Sequence, residues 1–193
     1  LSIIDIPTFS VKDFGAVGDG STDDRVAIQA ALDAAYNAGG GTVLFEAGKT
    51  YIVSYKWPEL LYIQSNVVMD LNNSTLQRTD IVGSVNYQFI TNKTRTGGII
   101  VDENITIKNG TIIGTGNTVA VSDQGHAIMF ALARNILIEN IQTQNTNGDG
   151  IALHYAFEVT MRKVEIGDFG RNGISPTNGS FVYDDVRIAG TPI

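Results

Sequence analysis

The sequence has no cysteine among its 193 residues, which excludes a disulfide framework and any thiolate metal site. Charge is sparse as well, at 17% of residues, and what there is leans acidic: 13 basic against 20 acidic side chains, a net −7. A protein that grips nucleic acid needs a basic face, so nucleic acid is not an expected partner. No apolar run is long enough to cross a bilayer as a helix, and no membrane partner is expected. Histidine occurs only twice and proline four times. The abundant residues are hydrophobic (43%), glycine (21 residues) and asparagine, a mixture that favours strands and turns over helices. The length suits one domain with a sizeable core.

The stretch "AVGDGSTDDRVAIQAALDAA", residues 16–35, invites three readings. It lacks the Gly-x-Gly-x-x-Gly of a dinucleotide loop and the Gly-Lys-Ser/Thr of a phosphate loop. Counted from Asp19 as a calcium loop, its twelfth position is Ala30 where a glutamate is required. A helix start explains every residue. Ser21 or Thr22 caps, Asp24 completes a capping box, and Asp23 and Asp24 favour the positive end of the dipole. The spacing predicts a helix over 23–37, with Ile28, Ala31, Leu32 and Ala35 as its apolar stripe and Gly39-Gly40-Gly41 as its end. One apolar face on so short a helix reads as a lid.

Short strands follow, expected near 42–45, 50–53, 67–71, 99–101 and 105–107. Beyond residue 120 the chain repeats itself. Ile128, Ile151 and Ile174 are separated by 23 residues twice over, as are Ile136, Val159 and Val182. Phe130, Leu153 and Pro176 keep the same step. A repeat of this length holding two or three short strands is one coil of a parallel β-solenoid, with inward apolar ladders and Asn or Gly at the corners. Ile105 to Ile136 spans 31 residues, so a longer loop is expected between those coils.

Residues 9–54 carry Asp13-Phe14-Gly15-Ala16, Gly18-Asp19-Gly20, Thr22-Asp23-Asp24, Ile28-Gln29-Ala30-Ala31 and the triple glycine. Together they resemble the entry segment of the pectate-lyase-like, right-handed parallel β-helix superfamily. The resemblance implies an all-β fold: a single domain over 1–193 with a cap helix at 23–37 and coils over 42–193. It also implies action on, or adhesion to, polysaccharide, as in polygalacturonases, mannuronan epimerases and bacteriophage tailspikes. Polysaccharide is then the expected partner, an extracellular or virion-associated place the expected setting, and a tailspike-like homotrimer one expected assembly. No cofactor is called for, and calcium finds no support in the sequence. Phe181 to Ile193 reads as a coil without a capping element, so the helix is expected to run on beyond residue 193.

Strand alternation selects the site candidates. With Ile151 and Leu153 inward, Ala152 and His154 face out, giving the stacked rows Met129-Ala152-Ser175 and Ala131-His154-Thr177. A corner row, His126-Asp149-Asn172, precedes them, and Arg171 adjoins it. His154 is the expected catalytic base and Asp149 a second catalytic group, because proton transfer near neutrality needs such side chains. His126, Arg171, Asn172, Ser175 and Thr177 are expected to bind substrate. Each also has a plainer account: Asp149 and Asn172 precede glycines, where turns favour them, and His126 fits an ordinary corner. Tyr155, Glu158, Asp168 and Asp123 are weaker candidates, and alternation turns Tyr155 inward.

The resemblance to polygalacturonases rests on Asn147-Gly148-Asp149-Gly150-Ile151. One coil later, where that family has paired aspartates, this chain has Arg171-Asn172, and two-carboxylate hydrolysis needs both acids. Mannuronan epimerases carry Asp-Pro-His on an outward strand, and Ala152-Leu153-His154 keeps the histidine. By that likeness His154 is the base, Tyr155 the acid, and Arg171 the partner of a uronate carboxylate.

Overall fold

The computed structural model describes residues 6–54, 59–79, 88–93, 102–116 and 125–190. The chain begins with β1 (Thr8–Ser10), a 3-10 turn (Val11–Phe14), β2 (Asp19–Asp23) and α1 (Arg25–Asn37). Then come β3 (Gly41–Leu44), β4 (Thr50–Ile52), β5 (Glu59–Ile63) and β6 (Val67–Gln77). The later strands are β7 (Gln88–Asn92), β8 (Asp102–Ile113), β9 (His126–Gln144), β10 (Ile151–Ile166), β11 (Ile174–Thr177) and β12 (Phe181–Ile188). All twelve join one sheet, and β1-β3-β6-β8-β9-β10-β11 are paired in that order. The pairing is parallel, each coil lying on the one before, so the chain is a parallel β-helix. The expected strand at 99–101 lies outside the described residues.

Stacking in register converts sequence spacing into ladders. Leu61, Ile90, Ile128, Ile151 and Ile174 line up on five successive coils. Val43, Met69, Ile107, Ile138 and Met161 form a second ladder and are fully buried. Each such side chain contributes about 1.5–3 kcal/mol by leaving water, and together they make the interior of the coil. The expected 31-residue step holds, since Ile105 pairs with Ile136.

The 23-residue step fails once. Val159 pairs with Phe181, and Val182 is 59% exposed rather than inward. The reason is a shorter corner. His154 still pairs with Thr177, but residues 155–158 on one coil are matched by only 178–180 on the next. Gly179 makes that tight corner feasible, because a Cβ there would run into the Ala156 carbonyl.

Corners depend on residues that tolerate the left-handed conformation. Asn73, Asn109, Asn140, Lys163 and Asp185 mark one corner on five coils, with φ of 51–61°. Asparagine amides bond from coil to coil there: Asn140 Nδ2 donates to Asn109 Oδ1 at 3.2 Å, and Asn109 Nδ2 to Asp70 Oδ1 at 2.9 Å. Asn135, Asn104 and Asn66 form a parallel chain of such bonds at 2.7 and 2.9 Å.

The helix starts two residues later than the sequence suggests, at Arg25, because Ser21 and Thr22 lie in β2 and cap nothing. Asp19 organises that turn by accepting the Ser21 and Thr22 backbone N–H groups, which holds its carboxyl well below the usual range. Asp24 stands at the cap position, yet its carboxylate turns back to the Val17 and Gly18 N–H groups at 2.7 and 3.1 Å. Ile28, Ala31, Leu32 and Ala35 are buried as expected, and α1 packs on β1, β3, β5 and β6. Gln29 closes the open edge: its amide donates to the Tyr62 carbonyl at 3.1 Å and accepts the Tyr62 N–H at 2.8 Å, imitating a strand. The helix is a lid.

Candidate functional site

The site residues come from β9, β10, β11 and the corners before them. Register places Ala131, His154 and Thr177 side by side, and likewise Met129, Ala152 and Ser175. Both rows therefore stack in register, though Ala131 and Ala152 are themselves buried. His154 is partly open to solvent and Thr177 is exposed, while Ala152 is covered. Thr177 Oγ1 donates to the Leu153 carbonyl at 3.4 Å.

The corner row is built differently from a polar wall. His126 and Asp149 share the parity of the inward Ile128 and Ile151, and both are buried, Asp149 completely. Gly150 permits this close packing, since a Cβ on it would stand 2.5 Å from the Ile166 side chain. The Asp149 carboxylate is held on all sides. Oδ1 accepts the Asn172 backbone N–H at 3.2 Å and its side-chain amide at 3.0 Å, and Oδ2 faces the Arg171 guanidinium at 3.3 Å. Two charge-assisted contacts across coils hold the corner of β10 against the corner of β11.

His126 is the fourth member. The Asp149 backbone N–H donates to its Nδ1 at 3.0 Å, so Nδ1 is an acceptor and the ring proton belongs on Nε2. The Asp149 carboxylate lies 3.5 Å from the same nitrogen, but a neutral ring makes no ion pair with it. Burial is the main reason that the His126 pKa is lowered to about 4; Asp149 pulls it up, and Arg171 and His154 oppose protonation.

The structure thus divides the candidates in two. His126 and Asp149 lie buried in the corner, and Asp149 is bonded outward to the partly exposed Arg171 and the exposed Asn172. His154, Thr177 and Ser175 stand apart on the outer face. Tyr155 departs from the expectation that it points inward: its φ of 50° breaks the alternation, and it is 52% exposed. Leu132 and Asn178 have the same backbone twist one coil to either side. Phe157, which the sequence did not single out, is also exposed on this coil. Glu158 lies exposed at the next left-handed corner and Asp168 at the corner after β10; Asp123 lies outside the described residues. Among the described residues no three His, Asp or Glu side chains stand close enough to hold a metal ion.

Chemically, this face offers one imidazole, one phenol and two hydroxyls. The corner cluster around the buried Asp149 offers rigidity. A general base must reach the proton it takes, and of the two histidines only His154 has that access.

Comparison with known proteins agrees with the coil and the lid. Residues 8–119 match the family described as Rhamnogalacturonase A/epimerase, pectate lyase-like. The mannuronan C5-epimerase AlgE6 of Azotobacter vinelandii is 36% identical over 195 aligned residues, covering 95% of this chain and 21% of that protein. Plasmin and fibronectin-binding protein A of Streptococcus pneumoniae (strain ATCC BAA-255 / R6) is 33% identical over 171 residues, covering 68% of this chain and 23% of that protein. The capsule KN3-specific depolymerase 1 of Klebsiella phage KN3-1 is 26% identical, covering 90% of this chain and 22% of that protein. Among solved structures, the A-module of A. vinelandii mannuronan C-5 epimerase AlgE4 superimposes with a TM-score of 0.74 at 24% identity, over 95% of this chain and 51% of that one. A tailspike of E. coli bacteriophage HK620, solved with a pentasaccharide, gives 0.71 at 18% identity, over 94% and 38%. The chain spans about a fifth to a half of the length of these relatives.

Proposed function

This chain belongs to the rhamnogalacturonase A/epimerase, pectate lyase-like family, and from that premise we propose that it is part of a polysaccharide-acting β-helix of the tailspike or secreted depolymerase kind. One observation carries the reading. His154 is partly exposed in the row between Ala131 and Thr177, and the backbone twist at Tyr155 turns an exposed phenol out at the next position.

That pair suits proton abstraction from a uronic acid residue. The imidazole of His154 takes the proton from the carbon bearing the carboxylate. The adjacent C–O bond to the glycosidic oxygen then breaks, its electron pair leaving on oxygen, while a carbon–carbon double bond forms. Tyr155 gives its hydroxyl proton to the leaving oxygen, and solvent later restores both side chains. In the proposal Asp149, Arg171, Asn172 and His126 act as positioning residues that keep the corner before β10 rigid. Two-carboxylate hydrolysis draws no support from Asp149, whose oxygens are committed to Asn172 and Arg171. The proposal assigns the chain no cofactor. It sets the protein outside the cell or on a virion, and a trimer belongs to the tailspike side of the reading.

A second reading, glycan binding or adhesion without chemistry, is favoured by Ala152. It occupies the row position between Met129 and Ser175, two residues before His154, and brings no carboxylate there. Incubating the intact protein with polyuronates and capsular polysaccharides separates the two. Appearance of unsaturated, ultraviolet-absorbing ends that His154→Ala abolishes supports the lyase. Saturable binding without new ends or epimers supports adhesion.

A further inference from the structure

A hollow lies on another face of these coils from His154. It lies past the Asn140 corner, on the outer face of the sheet that follows. A trough of about 310 Å³ is lined there by Asn73, Thr111, Asn140, Gln142, Lys163 and Glu165. A second hollow of about 200 Å³ continues it past Lys163 and Glu165 to Asp185 and Arg187. The register Thr75-Thr111-Gln142-Glu165-Arg187 shows that the two hollows run along the helix axis, one side chain per coil.

The two sides of the corner differ in how they are satisfied. Just before it, Asp70, Lys108, Glu139, Arg162 and Asp184 stack in register with alternating sign. Lys108 pairs with Asp70 at 3.3 Å, and Arg162 reaches Glu139 at 3.2 Å and Asp184 at 3.4 Å. That row is complete in itself. In the first hollow the side chains of Thr111, Gln142, Lys163 and Glu165 make no hydrogen bond or ion pair among the described residues, while in the second Arg187 pairs with Asp185 at 3.4 Å. The asparagine chain also stops here: Asn140 donates to Asn109, but the next coil puts Lys163 where another amide would bond to Asn140 Oδ1.

We propose that this trough is a second binding groove, separate from the His154 face, for an acidic polysaccharide lying along the helix axis with a carboxylate against Lys163. Solvent-accessible donors and acceptors at Thr111, Gln142 and Glu165 repeat at the coil spacing of about 4.8 Å, which suits a ligand that is itself a linear repeat of hydroxyl groups. Lys163 supplies the cation for the carboxylate, Gln142 and Thr111 meet hydroxyls or ring oxygens, and Glu165 accepts from a pair of neighbouring hydroxyls. The ligand class rests on the glycan reading above; the location rests on the trough alone.

Calorimetric titration of the intact protein with oligogalacturonate and oligomannuronate, and with cellohexaose as a neutral control, tests it. At least one uronate oligomer is expected to bind more tightly than cellohexaose, and less so as salt is raised. Lys163→Gln and Gln142→Ala are each expected to weaken that binding about tenfold with an unchanged melting temperature. The titrations are repeated in a His154→Ala background, which removes turnover; there Lys163→Gln and Gln142→Ala are expected to weaken binding by the same factor, which separates failure of the groove from failure of the catalytic reading. No binding of either uronate, equal binding of cellohexaose, or uronate binding indifferent to both trough variants overturns the proposal.

Discussion

The backbone N–H of Asp149 donates to His126 Nδ1 across neighbouring coils at 3.0 Å. A proton on that nitrogen breaks the bond, and burial already disfavours the charged ring. The folded-state pKa of His126, about 4, lies below its ordinary 6.5, so between these values the unfolded chain holds the extra proton. Stability is therefore complete above about pH 6.5 and falls as the pH drops towards 4, by a few kcal/mol from this residue. Melting temperatures across that range are expected to follow a shallower slope in His126→Gln than in wild type. Equal slopes mean that His126 is not the group.

Asp149→Asn is expected to lower stability by about 1–3 kcal/mol, because it removes the charge that Arg171 faces and leaves an amide donor against the Asn172 N–H. Denaturant titration reads it. A variant as stable as wild type contradicts the buried clamp.

The register of the last described coil predicts a contrast between neighbours. Phe181 packs against the core and pairs with Val159, whereas Val182 faces out. Phe181→Ala should cost more than about 1 kcal/mol, and Val182→Ala should stay within about 0.5 kcal/mol of wild type. The reverse order restores the uniform 23-residue step.

The lid has the same kind of internal control. Leu32 is 2% exposed and Val26 on the same helix is 65% exposed. Leu32→Asp is expected to destabilise by several kcal/mol through an unpaired charge on apolar surface, and Val26→Asp to have little effect. Similar melting of the two variants means α1 does not cover the coil.

Much of this architecture was legible because coil stacking turns a fixed spacing into physical contact. Ile128, Ile151 and Ile174 could be aligned by counting, and the outward rows at Ala152 and His154 followed from alternation. Counting fails where the backbone leaves the strand conformation. Tyr155, at positive φ, points out where alternation points it in, and the shorter corner after Thr177 moves Phe181 into the place expected for Val182. The helix start was misplaced because the Asp24 carboxylate serves Val17 and Gly18, a loop contact with no periodic signature. The parity of His126 and Asp149 with Ile128 and Ile151 was readable, but turn chemistry before glycine suggested an exposed corner. The trough left no motif, since its side chains meet only through three-dimensional stacking.

The central claim is that chemistry on a polysaccharide occurs at the open outer row, not in the buried corner. Turnover of a uronate-containing polysaccharide by the intact protein, followed through unsaturated ends and paired with the melting temperature, tests it most directly. His154→Ala is expected to lower turnover about a hundredfold or more while the melting temperature stays within about one degree of wild type. Full turnover in His154→Ala, or loss of turnover in step with loss of stability, contradicts the account.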